Sequence, residues 1–225
     1  TAITYCKNMM LSADEIAAQD FGLPRFSELY THYCAALREA RQMDYDDQMA
    51  YALAILRKQP EILAEFQARY PYLCVDESQD TSRVQHAIIE LLAKKTGNLF
   101  MVGDEDQSIY GFRAAWPEAL LQFPQTYPGA KLLFMEENYR STPQILQAAN
   151  AFIAKNRSRY PKTIRPVRPA GQPVQQVHAA SRQAQIRYLL ALAAQVQEPP
   201  FTVLYRNNDS ALPLIDALER AGLPY

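Results

Sequence analysis

Three short apolar runs in this 225-residue sequence each end in a dense group of polar side chains. Tyr72-Leu73-Cys74-Val75 is followed by Asp76-Glu77-Ser78-Gln79-Asp80. Leu99-Phe100-Met101-Val102 is followed by Gly103-Asp104-Glu105-Asp106-Gln107-Ser108-Ile109-Tyr110-Gly111-Phe112-Arg113. Lys131-Leu132-Leu133-Phe134-Met135 is followed by Glu136-Glu137-Asn138-Tyr139-Arg140-Ser141-Thr142. An acidic pair directly after a strand suits nucleotide hydrolysis. Asp76 can hold a magnesium ion through its water shell, while Glu77 orients and deprotonates an attacking water. Gln107 can report on a terminal phosphate, Arg140 can neutralise charge developing there, and Tyr139 offers a flat face to a base. A solvated acidic loop is the alternative reading of the same pair.

Residues of this kind need a frame that brings three strand ends together. Uninterrupted apolar runs separated by helices predict a parallel sheet covered on both faces, and ligands bind beyond the carboxyl ends of such strands. Phe26, Leu29, Tyr30, Tyr33 and Leu37 recur at helical spacing. Asp44-Tyr45-Asp46-Asp47 predicts a helix start, since carboxylates satisfy free N–H groups and suit the helix dipole. Pro60 opens a helix running to about Tyr70, and another is predicted over 82–95 with Thr81 or Ser82 as its cap. Gln79 and Asp80 are read either as further caps of that helix or as functional. Helices follow around 117–123 and over 141–154, then a proline-rich basic linker over 156–173. Strands at 174–178 and 201–205 alternate with helices at 182–196 and 209–221, the opening of a second α/β unit. Cys74 and Trp116 are expected to pack in the core.

Composition removes other classes. The chain is 48% hydrophobic and 21% charged, an ordinary globular balance. No apolar run approaches ~20 residues, so no membrane partner is expected. The three cysteines show no C-x-x-C spacing and the three histidines no metal-ligand spacing, which fits a reduced, cytoplasmic protein. No two of the seven glycines are spaced for a Walker A loop or a dinucleotide fingerprint. The sequence starts mid-pattern without Met, as expected of a piece of a longer chain. A net charge of −1 hides an asymmetry of −6 over residues 1–80 against +5 over 136–225, with no acid between Glu137 and Glu198. Such a chain often binds a polyanion on one side. Lys155, Arg157, Arg159, Lys162, Arg165 and Arg168 fit either a phosphate track or a solvated linker.

The strand-end segments resemble a known family. Val75-Asp76-Glu77-Ser78-Gln79-Asp80-Thr81 is similar to motif II of superfamily 1 DNA helicases of the UvrD/Rep/PcrA-like group. The segment from Gly103 to Ala115 is similar to motif III, and Glu137-Asn138-Tyr139-Arg140-Ser141-Thr142 to motif IV. Asp44-Tyr45-Asp46-Asp47 resembles the helix start before motif II. Val203-Leu204-Tyr205-Arg206-Asn207-Asn208 and Ala221-Gly222-Leu223-Pro224-Tyr225 resemble second-domain segments. Phe112 stands where the family commonly has tryptophan, and Ala114 where it usually has glycine.

The resemblance implies an α/β, RecA-like P-loop NTPase fold, incomplete here. Residues 1–43 would end a helical insert subdomain and 44–140 would form the C-terminal half of the first RecA-like ATPase domain. Residues 141–225 would be a linker and the beginning of the second. It further implies an ATP-dependent helicase or translocase moving on single-stranded DNA, 3′ to 5′, in repair or replication. ATP and Mg2+ would be its cofactors, single-stranded DNA and its junctions with duplex its partners beside repair or replication proteins, and the nucleoid its cytoplasmic setting. Asp76 would coordinate magnesium, Glu77 would be the catalytic base, and Gln107 and Arg140 would contact the γ-phosphate. Tyr139 would stack on adenine. Tyr110, Phe112 and Arg113 would line the DNA path, since stacking on bases is worth ~1–3 kcal/mol each and needs no sequence. Arg206 would touch the DNA backbone from the second domain. Without a Walker A loop this stretch alone is expected to be inactive. The helicase subunit of a RecB/AddA-like helicase–nuclease, or a non-catalytic DNA- or protein-binding module, are the alternatives.

Overall fold

A computed structural model describes residues 2–109, 111, 114–195 and 202–225. Tyr110, Phe112 and Arg113 lie outside the described residues. The chain forms two compact units, Thr1–Gly171 and Gln172–Tyr225.

The first unit opens with α1 (Ala2–Asn8), α2 (Ala13–Ala18), α3 (Phe26–Glu39), α4 (Tyr45–Lys58) and α5 (Pro60–Arg69). Local chemistry sets these boundaries. Ser12 and Glu15 form a reciprocal capping box at α2. At α4, Asp44 accepts from Asp47 N–H at 2.8 Å while the Asp47 carboxylate accepts from Asp44 N–H at 3.2 Å. Pro60 occupies the first turn of α5, where no N–H is needed. The predicted stripe on α3 is only partly used: Phe26 is buried with Cys6 and Ile16, but Leu29 is 53% exposed. Lys7, at the end of α1, is clamped to the start of α4 by Asp44 (2.7 Å) and Asp47 (2.6 Å), and its ammonium is held well above its ordinary range. Burial opposes that rise, and the two carboxylates outweigh it.

β1 (Leu73–Val75) runs through α6 (Arg83–Ala93) into β2 (Leu99–Met101), and the two strands pair in parallel with Leu73 opposite Leu99 and Val75 opposite Met101. Ser82 caps α6, its N–H donating to Gln85 Oε1 at 2.8 Å. α6 packs on α4 and α5, and Gln67 on α5 donates to the Leu91 carbonyl at 2.8 Å. Two short helices, α7 (Glu118–Leu121) and α8 (Phe123–Thr126), follow. Then come β3 (Glu137–Asn138), α9 (Pro143–Ile153) and β4 (Arg165–Pro166), with β3 and β4 paired in parallel.

Several expectations are corrected. The run 131–135 forms no strand, and Leu133 and Met135 are 79% and 89% exposed. A strand exists only where neighbouring backbone supplies partners, and among the described residues none hydrogen-bonds the backbone of this run. The β1–β2 sheet is covered on one face, not two. Leu73, Val75, Leu99 and Met101 are half-buried, whereas Cys74 and Phe100 on the opposite face are exposed, so Cys74 is not core. Trp116 does pack, edge-on to His86 at 5.5 Å.

In the second unit, α10 (Arg182–Gln195) packs on α11 (Asn208–Arg220). Asn207 caps α11 by accepting from Ser210 N–H at 3.1 Å. The predicted strand 174–178 is irregular, as are 202–205, the described part of 201–205. No helix among the described residues is long and apolar enough to cross a membrane.

Candidate functional site

The site begins where β1 ends. Asp76 is exposed, and its Oδ1 accepts from Glu77 N–H at 2.9 Å. Glu77 is also exposed and adopts φ 49, ψ 39, the left-handed region that L residues with a side chain rarely occupy. Backbone held there is strained, and such strain concentrates where a side chain must be aimed. The chain then tightens into a 3-10 turn over Ser78–Asp80 that is locked to the neighbouring strand end. Ser78 N–H and Oγ–H both donate to the Val102 carbonyl, at 3.0 and 2.8 Å.

Gln79 joins the two loops. Its side chain is almost fully buried. The Nε2 group donates to Glu77 Oε2 at 2.6 Å, and Oε1 accepts from Asp104 N–H at 3.0 Å. Neither Gln79 nor Asp80 caps α6; Ser82 does that. Asp104 in turn accepts from Gln107 Nε2 through Oδ2 at 2.8 Å. Hydrogen bonds therefore run unbroken from Glu77 through Gln79 and Asp104 to Gln107. Burial pushes the Asp104 carboxyl up, but Lys162 and Gln107 outweigh it and hold the group below the usual carboxylate range. Lys162 had no partner legible in the sequence, because the acids it meets lie far away in the chain.

The third strand-end segment is arranged separately. Asn138 Oδ1 accepts from the N–H groups of Arg140 (3.0 Å) and Ser141 (2.7 Å), a side-chain turn that launches α9. Tyr139 is 67% exposed, its hydroxyl donating to Glu137 Oε2 at 2.5 Å. That bond pushes the phenol above its ordinary value. Arg140 is exposed, and its carbonyl accepts from Arg168 at 2.9 Å. The structure thus links Glu77 to Gln107 through Gln79 and Asp104 and sets Tyr139 and Arg140 on an exposed turn. Arg206 lies exposed in the second unit. The exposed carboxylates of Asp76 and Glu77 are hard oxygen donors of the kind magnesium takes, so the residues fit that ion.

Comparison with known proteins gives this arrangement a family. Residues 1–128 match the UvrD/REP helicase N-terminal domain and residues 133–225 the UvrD-like helicase C-terminal domain. The ATP-dependent DNA helicase PcrA of Leuconostoc citreum is 36% identical over 231 residues, covering 99% of this chain and 31% of that protein. PcrA of Staphylococcus epidermidis is 33% identical over 231 residues, covering 100% of this chain and 32% of that protein. The chain therefore spans about a third of the length of these relatives. With both domains matched in order, the chain belongs to the UvrD/Rep helicase family.

Proposed function

We propose that this chain is part of an ATP-dependent DNA helicase that couples nucleotide hydrolysis to movement along single-stranded DNA. The observation that carries the reading is the hydrogen-bonded path from Glu77 through Gln79 and Asp104 to Gln107. A hydrolytic base and a side chain suited to sensing phosphate are joined through one buried amide and one carboxylate, Gln79 and Asp104. Water attacks the γ-phosphorus of ATP, the bond to the bridging oxygen breaks, and the water proton passes to Glu77. Asp76 would hold the magnesium ion, which when bound neutralises phosphate charge. Gln107 and Arg140 contact the γ-phosphate, and Tyr139 stacks on adenine.

Two RecA-like domains closing over ATP would move the strand, 3′ to 5′, past Tyr110, Phe112 and Arg113, with Arg206 contacting the backbone. Single-stranded DNA and its junctions with duplex are the partners in this reading, and a cytoplasmic role in repair or replication follows from it. The test is DNA-stimulated phosphate release by the full-length protein, with Glu77→Gln as control. Turnover that needs DNA and falls by orders of magnitude in the control supports the motor. A folded, DNA-binding protein without turnover would be a binding module instead.

A further inference from the structure

The basic stretch 155–168 fits either a DNA phosphate track or a solvated linker from sequence alone, yet two of its side chains do neither. Lys162 is 9% exposed, and its Nζ lies 2.5 Å from Asp104 Oδ1, 3.0 Å from Glu105 Oε2 and 3.3 Å from Asp106 Oδ2. Arg159 grips Asp106 with both prongs, Nε at 2.7 Å and Nη2 at 2.5 Å. Between them Tyr160 N–H donates to Glu105 Oε1 at 2.9 Å, and its hydroxyl reaches the carbonyls of Leu120 and Leu121 on α7 at 2.8 and 3.1 Å. Residues 159–162 therefore form a strap across the loop after β2. The three carboxylates lie within 4.8 Å of one another, but the Lys162 ammonium already sits where they converge, so the cluster is an ion-pair knot.

The knot reaches the phosphate-sensing side chain through a single carboxylate. Asp104 gives Oδ1 to Lys162 and Oδ2 to Gln107. We propose that Lys162 is a positioning residue: by fixing the Asp104 carboxylate it aims Gln107, and so sets how strongly DNA stimulates hydrolysis. This rests on the helicase reading given above. Without the ammonium, Asp104 Oδ1 keeps only the longer bond from Asp106 N–H at 3.1 Å, and Gln107 loses its firmly fixed acceptor. Arg159 supplies the contrast, since it braces the same strap through Asp106 without touching Asp104.

The experiment uses the full-length protein with Lys162→Met, Lys162→Arg and Arg159→Gln. Expected is a loss of DNA-stimulated kcat of tenfold or more in Lys162→Met, with KM for ATP within threefold, largely restored in Lys162→Arg and retained in Arg159→Gln. A kcat within twofold of the unsubstituted protein in Lys162→Met overturns the proposal. So does an equal loss in Arg159→Gln, which would show that only strap stability matters. Hydrogen exchange of the 104–109 backbone is the second readout and needs no turnover. Faster exchange in Lys162→Met than in Arg159→Gln supports the positioning role, and equal exchange overturns it. Absence of DNA-stimulated turnover in the unsubstituted protein would sink the helicase reading alone, leaving the exchange comparison to decide this one.

Discussion

Gln79 Nε2 donates to Glu77 Oε2 at 2.6 Å from a side chain that is only 2% exposed. A buried amide that orients an exposed carboxylate fixes the direction from which that carboxylate meets water. Outer partners of this kind commonly govern activity about 10–100-fold. Gln79→Met keeps the volume but leaves Asp104 N–H and Glu77 without this partner. Loss of such a bond costs about 1–3 kcal/mol. We expect kcat of the full-length protein to fall about tenfold or more, with nucleotide affinity nearly unchanged. Steady-state turnover beside equilibrium binding checks this; an unaltered kcat would free Glu77 from Gln79.

Acid should loosen the structure before the carboxylates titrate. Burial lowers the His86 ring from 6.5 to about 4. Thr81 Oγ1 donates to the Ser78 carbonyl at 2.6 Å, which leaves the hydrogen of its 2.5 Å contact with His86 Nε2 on the ring. Between pH 6.5 and 4 the unfolded chain binds the extra proton and the folded chain does not. Stability therefore falls with falling pH across that window, by up to about 1.4 kcal/mol per pH unit. Urea midpoints at pH 7 and pH 5 measure the slope, and His86→Gln should flatten it. An equally steep slope in the variant would assign the sensitivity to other groups.

The parts of the fold legible in sequence are those governed by neighbours a few residues away. Asp44 and Asp47 announce the start of α4 because capping is a three-residue interaction, and Pro60 does the same for α5. The strand-end positions of Asp76 and Glu77 follow from the apolar run before them. What stayed hidden depends on distant partners. Leu132-Leu133-Phe134 has strand composition but lacks a paired neighbour among the described residues. Cys74 alternates onto the open face of the sheet, which a three-residue strand cannot reveal from its own sequence. Lys162 and Asp104 meet across 58 residues, and nothing local to either names the other. Gln79 fits cap and function equally in the sequence because its two partners sit on different loops.

Ala114 is completely buried at φ +64, beside the bridge that pairs Ala115 with Ser82. A left-handed residue with a Cβ carries about 1–2 kcal/mol of steric cost. Glycine removes that cost but gains roughly 0.5–1 kcal/mol of unfolded-state freedom. Ala114→Gly should therefore stabilise the chain by about 0.5–1 kcal/mol net. Urea unfolding reads the difference directly. A destabilised variant would mean that packing of the Ala114 methyl outweighs its backbone strain.

Gly103 closes the space between the two strand-end loops. A Cβ there would stand 2.5 Å from Ser78 Oγ, 2.8 Å from Gln79 Oε1 and 2.8 Å from Leu120 Cδ1. The two oxygens cannot withdraw freely: Ser78 Oγ is bonded to the Val102 carbonyl, and Gln79 Oε1 to Asp104 N–H. Gly103→Ala must therefore push the loops apart, at about 1–3 kcal/mol. The same displacement stretches the path from Glu77 to Gln107, so turnover should fall together with stability. Because Ser78 Oγ is the nearest atom, Ser78→Ala in the Gly103→Ala background should recover part of the loss, although Ser78→Ala alone is destabilising. A double-mutant cycle on the melting of the chain measures that coupling. Simple additivity of the two substitutions would place the clash elsewhere and leave the close approach of these loops without consequence for the site.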